Sequence, residues 1–133
     1  MTRINLIPVK ELTDKHLIAE KHEITRVFAL AKNSKPNVKI PDTYRMGKGH
    51  VTFFYNKIGF IIHRYEILCN EVRRRDFNCN QILSEELLKD MPAHLINPFT
   101  PSEEEIKISK ARIEDRLKNG KPKSYKLVEN VTE

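Results

Sequence analysis

Tryptophan is absent from this 133-residue sequence, and there are only two cysteines and four glycines. Cys69 and Cys79 are too few and too far apart for a CxxC-type metal or redox motif, and no signal peptide precedes them. They read as reduced thiols of a cytosolic protein. The longest apolar run, Ile58-Gly59-Phe60-Ile61-Ile62, is far short of the roughly 20 residues that a membrane-spanning helix needs. No membrane partner is expected. No repeat recurs at a solenoid period, and the only low-complexity tract is the triplet Arg73-Arg74-Arg75. No segment sustains the apolar-polar alternation of a half-buried strand, so the expected class is all-α.

What the chain has in quantity is charge, with Lys+Arg 24 against Asp+Glu 18 and a net charge of +6. The surplus is uneven. Residues 81–105 carry one basic against six acidic side chains, whereas 34–80 carry nine against four and 106–133 carry eight against four. Basic segments flanking an acidic insert favour a polyanionic partner, because each phosphate neutralised by Lys or Arg releases condensed counterions. The length suits one domain, 1–133, with a core that needs no metal or disulfide.

Apolar residues at helical spacing predict a first helix from Lys10–Asp14 to about Lys32, carried by Leu12, Leu17, Ile24, Val27, Phe28 and Ala31. A basic loop with Pro36, Pro41, Gly47 and Gly49 follows. The core helix is expected over about His50–Arg75, with Phe54, Ile58, Ile61, Ile62, Tyr65, Leu68 and Val72 as its stripe. A short helix is predicted over Ser84–Lys89. Thr100-Pro101-Ser102-Glu103 combines an N-cap, a proline at the first helical position and a capping-box acid, so a third main helix should run from Pro101 to about Leu117. Ile106, Ile113 and Leu117 would form its buried face.

Several groups could carry chemistry. Thr2 is small enough for Met1 to be removed, which would leave an α-amine titrating near about 7.7–8.0, well below a lysine at about 10.4. His16, Glu20 and Glu23 stand at i, i+4 and i+7 on one helix face, a spacing that could hold a metal or form a solvated acidic edge. Lys15, His22 and Arg26 make a neighbouring cationic face beside Glu23. Gly47-Lys48-Gly49-His50 could present amides to a phosphate or simply close a turn. Two of Phe53, Phe54 and Tyr55 are expected in the core. Lys107, Lys110, Arg112, Arg116, Lys118, Lys121, Lys123 and Lys126 are dense enough to suggest contacts with a nucleic-acid backbone.

Four blocks, Met1-Thr2-Arg3-Ile4-Asn5-Leu6, the helix with His16, Ala19, Glu20, Glu23 and Arg26, Gly49-His50-Val51-Thr52-Phe53-Phe54-Tyr55, and Ile108-Ser109-Lys110-Ala111-Arg112, closely resemble the pyrimidine-dimer DNA glycosylase family of the phage endonuclease V type. The resemblance is colinear over nearly the whole chain, apart from the loop after Asn33 and the acidic insert. It implies a compact domain of three main helices, with the N-terminal segment reaching between helices. It also implies a monomer that acts on damaged double-stranded DNA, in the cytoplasm or at the nucleoid, without a metal or other cofactor. In that family one base of a cyclobutane pyrimidine dimer is removed and the abasic site is nicked, after the duplex is kinked and the base opposite is flipped out.

Carried over by position, the Thr2 amine would be the nucleophile and Glu23 the acid/base and charge stabiliser. Arg26 would hold a phosphate, Arg3 would support the N-terminal segment, and Arg112 with Arg116 would grip the backbone. His22 stands where the family commonly has Arg, so a fixed phosphate contact becomes a titratable one. The tail keeps Tyr125 and Lys126 as DNA-contact candidates where the phage type is aromatic-rich with Trp. Two other readings compete: a non-catalytic or lesion-altered DNA-binding module of the same fold, and a metal-dependent hydrolase built on His16, Glu20 and Glu23.

Overall fold

The structure, a computed structural model, describes residues 2–119. They form α1 (Asp14–Glu23), α2 (Arg26–Lys32), α3 (Ile58–Arg74), α4 (Ser84–Leu87) and α5 (Glu103–Asn119), with single 3-10 turns at Val9–Glu11, Thr52–Phe54 and Ala93–Leu95. There is no strand among the described residues, and the class is all-α. α3 is the central rod, and α1 packs along it. Every residue of the two predicted stripes is buried except Ile62, which is half-buried.

The first predicted helix is two helices. Thr25 donates its hydroxyl to the His22 carbonyl at 3.2 Å, and the next amides bond three residues back, Val27 to Ile24 and Phe28 to Thr25. A threonine hydroxyl that takes up a carbonyl of its own helix competes with the backbone ladder and bends it. Glu23 and Arg26 therefore sit on either side of the break.

α3 begins at Ile58 rather than at His50. Lys57 leaves helical geometry (φ −129°, ψ 39°), and its ammonium donates to the Phe53 carbonyl at 2.8 Å and to Asn56 Oδ1 at 2.9 Å while lying 3.8 Å over the Phe53 ring. Two residues after Lys57, the backbone of Asn97 packs so closely that a Cβ at Gly59 would meet its carbonyl oxygen at 2.9 Å. At the other end, Asp76 takes a positive φ of 65°, the Asp76 amide bonds Arg73 and the Phe77 amide bonds Val72. This is a Schellman stop with Asp where Gly is usual.

Residues 77–82 then return along α3, and the Ile82 N–H reaches the Tyr65 hydroxyl at 2.9 Å. Lys21 of α1 clips this strap by donating to the Asn80 carbonyl at 3.3 Å. Below the stop, Glu71 accepts from Arg74 and Arg75, whose bonds hold its carboxyl down at about 2, and Arg75 continues to Asp14 at 2.7 Å.

The cap of α5 lies two residues beyond its predicted place. Ser102 and Glu105 exchange the reciprocal capping-box bonds at 3.0 and 3.2 Å, and the second Glu105 oxygen accepts the Tyr44 N–H at 2.9 Å. Glu105 thus caps a helix and holds the loop, which Glu103 at the expected position does not do. Ser109 and Ile113 are buried and Ile106 is half-buried, but Leu117 is exposed together with Glu114, Asp115 and Lys118. The helix runs off the edge of the core there, so Leu117 does not belong to its buried face.

Candidate active site

Residues 2–7 are irregular in backbone yet buried, apart from a half-buried Arg3. A buried segment without a helix or sheet ladder must place its backbone polar groups elsewhere, and here side chains from four parts of the fold take them. Glu23 Oε1 accepts the Arg3 N–H at 2.9 Å. His50 Nε2 accepts the Ile4 N–H at 2.8 Å, and Tyr44 donates its hydroxyl to the Ile4 carbonyl at 2.7 Å. Ser109 Oγ accepts the Leu6 N–H at 2.9 Å, and Arg64 donates to the Ile7 carbonyl at 2.8 Å.

Beneath the segment lies a buried ion pair. Arg64 meets Glu20 through Nε at 2.8 Å and Nη2 at 3.1 Å, and Asn5 Nδ2 donates to Glu20 Oε1 at 2.8 Å. Asn5 Oδ1 in turn accepts from Arg112 at 3.5 Å. This disposes of the His16, Glu20 and Glu23 metal reading: both Glu20 oxygens are taken by Arg64 and Asn5, and no cluster of three metal-ligating side chains occurs among the described residues. His16 is buried, its Nδ1 is 2.9 Å from the Thr13 hydroxyl, and burial with the charges of Arg112, Lys15 and Arg116 lowers it to about 4. Its ring is neutral at pH 7.

His50 is also neutral. Its Nδ1 lies 2.8 Å from the Arg45 carbonyl, so Nδ1 carries the proton and Nε2 is the acceptor; the tautomer follows from the partners. Burial lowers its pKa, against the opposing effect of the Arg45 bond. Gly47 and Gly49, both at positive φ, close the tight turn that brings this ring inward, and at Gly49 a Cβ would also press on Arg45 and Pro41 at 3.2 Å. The Tyr44 and His50 rings meet edge to face at 5.3 Å, and the cluster continues through the buried Phe53 and Phe54.

The structure therefore brings Thr2, Arg3, Glu23 and Arg26 together. Arg26 Nη1 lies 3.5 Å from the Thr2 hydroxyl, and the Glu23 carboxylate is bonded to the peptide that joins Thr2 to Arg3. Arg26 is exposed and Glu23 is half-buried, so a cation and a carboxylate flank Thr2, and His22 is exposed on α1. Partial burial and Lys21 lower the His22 pKa, with Glu23 opposing. His22 borders a cleft of about 290 Å³ walled by Ile18, Lys21, Val72, Phe77 and Asn78.

Arg112 approaches the site from α5 through Asn5, and Arg116 lies near His16. Tyr125, Lys126 and the remaining basic tail candidates, Lys121 and Lys123, lie outside the described residues. The spacing of the sequence gives no hint of Tyr44, Arg64 or Ser109 as supports. His50 belongs to a recognisable block, but its role as acceptor for Ile4 is visible only in three dimensions.

No described helix is long and apolar enough to cross a membrane. A family model for pyrimidine dimer DNA glycosylases matches residues 1–85. That match spans more than half of the chain and contains the whole Thr2, Glu23, Arg26 and His50 arrangement, and the protein belongs to the pyrimidine dimer DNA glycosylase family.

Proposed function

We propose that the protein is a glycosylase with abasic-site lyase activity on UV-damaged duplex DNA, and that the α-amine of Thr2, freed by removal of Met1, is its nucleophile. The observation that carries this reading is the Glu23 to Arg3 N–H bond at 2.9 Å. It holds a carboxylate one peptide from that amine. The amine nitrogen attacks the deoxyribose C1′, the glycosidic bond breaks, and the base leaves with a proton, giving an imine between Thr2 and the opened sugar. Glu23 stabilises the positive charge that develops on the sugar, then takes a proton from C2′ so that the C3′–O bond breaks by β-elimination.

Thr2 is 7% exposed in the chain that still carries Met1, and removal of Met1 would open its amine to the sugar. A duplex kinked at a weakly stacked lesion can supply that approach. His22, Arg26, Arg112 and Arg116 are the candidate phosphate contacts, with Arg3 beside Thr2, and Tyr125 and Lys126, outside the described residues, are further candidates for contact with DNA. His22 is mostly neutral at pH 7, so its contact strengthens as pH falls.

The test is borohydride trapping on dimer-containing and abasic duplexes, with mass analysis of the N-terminal peptide. The expected product is a DNA adduct on Thr2. Undiminished nicking after the terminal amine has been blocked would sink the proposal. Salt-dependent binding without any strand cleavage would favour the DNA-binding module instead.

A further inference from the structure

Nine residues separate Cys69 from Cys79 in sequence, yet the fold sets them side by side. The Schellman stop at Asp76 sends the strap back along the helix it has just left. The strap is fixed to α3 at two levels, Phe77 N–H on Val72 and Ile82 N–H on the Tyr65 hydroxyl. Cys79 lies between these two attachments on the strap, and Cys69 lies between Tyr65 and Val72 on α3. The thiols adjoin: burial and then Cys79 beside it raise the Cys69 thiol, and Cys69 in turn neighbours the Tyr65 hydroxyl. Cys69 is fully buried and Cys79 is half-buried, both as free thiols.

We propose that Cys69 and Cys79 form a redox modification site that closes to an intramolecular disulfide by exchange with a low-molecular-weight disulfide such as oxidised glutathione. Cys79, the accessible sulfur, attacks first as thiolate: its bond to one glutathione sulfur forms, the glutathione S–S bond breaks, and one glutathione thiolate leaves and takes up a proton. Cys69 then loses its proton and attacks the Cys79 sulfur, which expels the second glutathione as thiol. The protein pair is oxidised by two electrons and the glutathione disulfide is reduced by two. Burial and the adjoining Cys79 raise the Cys69 thiol to about 11, so the second step is slow at neutral pH and quickens as pH rises, while the strap fixed along α3 keeps it intramolecular.

The link would tie α3 covalently to the strap that Lys21 already clips and that forms the Phe77 and Asn78 wall of the cleft beside His22. No step of the glycosylase proposal uses either sulfur, so the two stand or fall separately.

The experiment treats the native full-length protein with oxidised glutathione and follows it by intact mass, free-thiol titration and non-reducing peptide mapping. The expected result is the loss of two hydrogens, no free thiol, a Cys69–Cys79 linked peptide, and faster closure of the mixed disulfide at higher pH. In Cys69→Ala, after its helical signal has been checked, a stable glutathione adduct on Cys79 is expected. Persistence of that adduct in the wild type, a covalent dimer, or two unreacted thiols would each overturn the proposal. The wild-type map decides the matter even if the variant fails to fold.

Discussion

Replacing His50 by leucine removes the acceptor for the Ile4 N–H and the donor to the Arg45 carbonyl, and fills much of the space with apolar atoms. His50 is 1% exposed, and the space its ring vacates is bounded by Tyr44 and Phe54, so water cannot readily replace the bond lost at Ile4, whereas Arg45 is exposed. The stranded Ile4 N–H costs about 1–3 kcal/mol and the Arg45 carbonyl, on an exposed residue, costs less, which puts the variant about 2–3 kcal/mol below wild type. Against a typical total of about 5–15 kcal/mol, that is a large loss. His50→Gln can return an acceptor towards Ile4 but not both bonds, and should recover about half of the loss.

Urea unfolding gives the free energies, and native-state hydrogen exchange at the Ile4 amide reads the bond itself. Acid provides an independent arm. The folded His50 pKa lies below the unfolded value, so its contribution is full above about 6.5 and is lost as pH falls below that value through the folded one. Protonating Nε2 would set one N–H against another. His16, lowered to about 4, acts in the same direction between about 6.5 and 4. A leucine variant within about 1 kcal/mol of wild type, or a glutamine variant no better than leucine, would refute the accounting.

Glu23→Gln should keep DNA binding and lose nicking by orders of magnitude in single-turnover assays; near-normal turnover would remove Glu23 from its role. His22→Arg should tighten binding to dimer DNA and flatten its dependence between about pH 6 and 8, measured by anisotropy at fixed salt, because wild-type His22 gains charge only as pH falls through its lowered pKa. Glu20→Ala should cost about 3–5 kcal/mol in urea unfolding by leaving Arg64 charged and buried without its partner. Asp76→Gly should raise stability by about 0.5–1 kcal/mol with nicking unchanged, since glycine adopts the positive φ there without a side-chain penalty.

The helical periodicity in the sequence located the buried faces of the first two predicted helices, because repeated apolar contact with one core imposes it. It did not show the break after Glu23, since a threonine that bonds its own backbone leaves the apolar spacing intact. The capping box was legible as a motif and expected at Thr100 with Glu103, but the same pattern fits Ser102 with Glu105, which makes the bonds. Only Tyr44 on the other side of Glu105 separates them. Thr2, Glu23 and Arg26 were legible through resemblance, whereas the roles of Tyr44, His50 and Ser109 were not, because each is defined by a partner 40 to 103 positions away. The contact between the two thiols was hidden in the same way by a chain reversal at a residue, Asp76, that carries no strong turn signature.

The threaded amino-terminal segment also sets the order in which the protein can be built. It leaves the ribosome before these hydrogen-bond partners, which arrive 20, 46, 57 and finally 103 residues later. Contacts so distant along the chain close late in folding. A nascent chain that stops short of α5 has no Ser109 to receive Leu6 and no Arg112 beside Asn5. Synthesis must therefore reach α5 before residues 2–7 have all of these partners, and a copy that stops earlier cannot complete the candidate site.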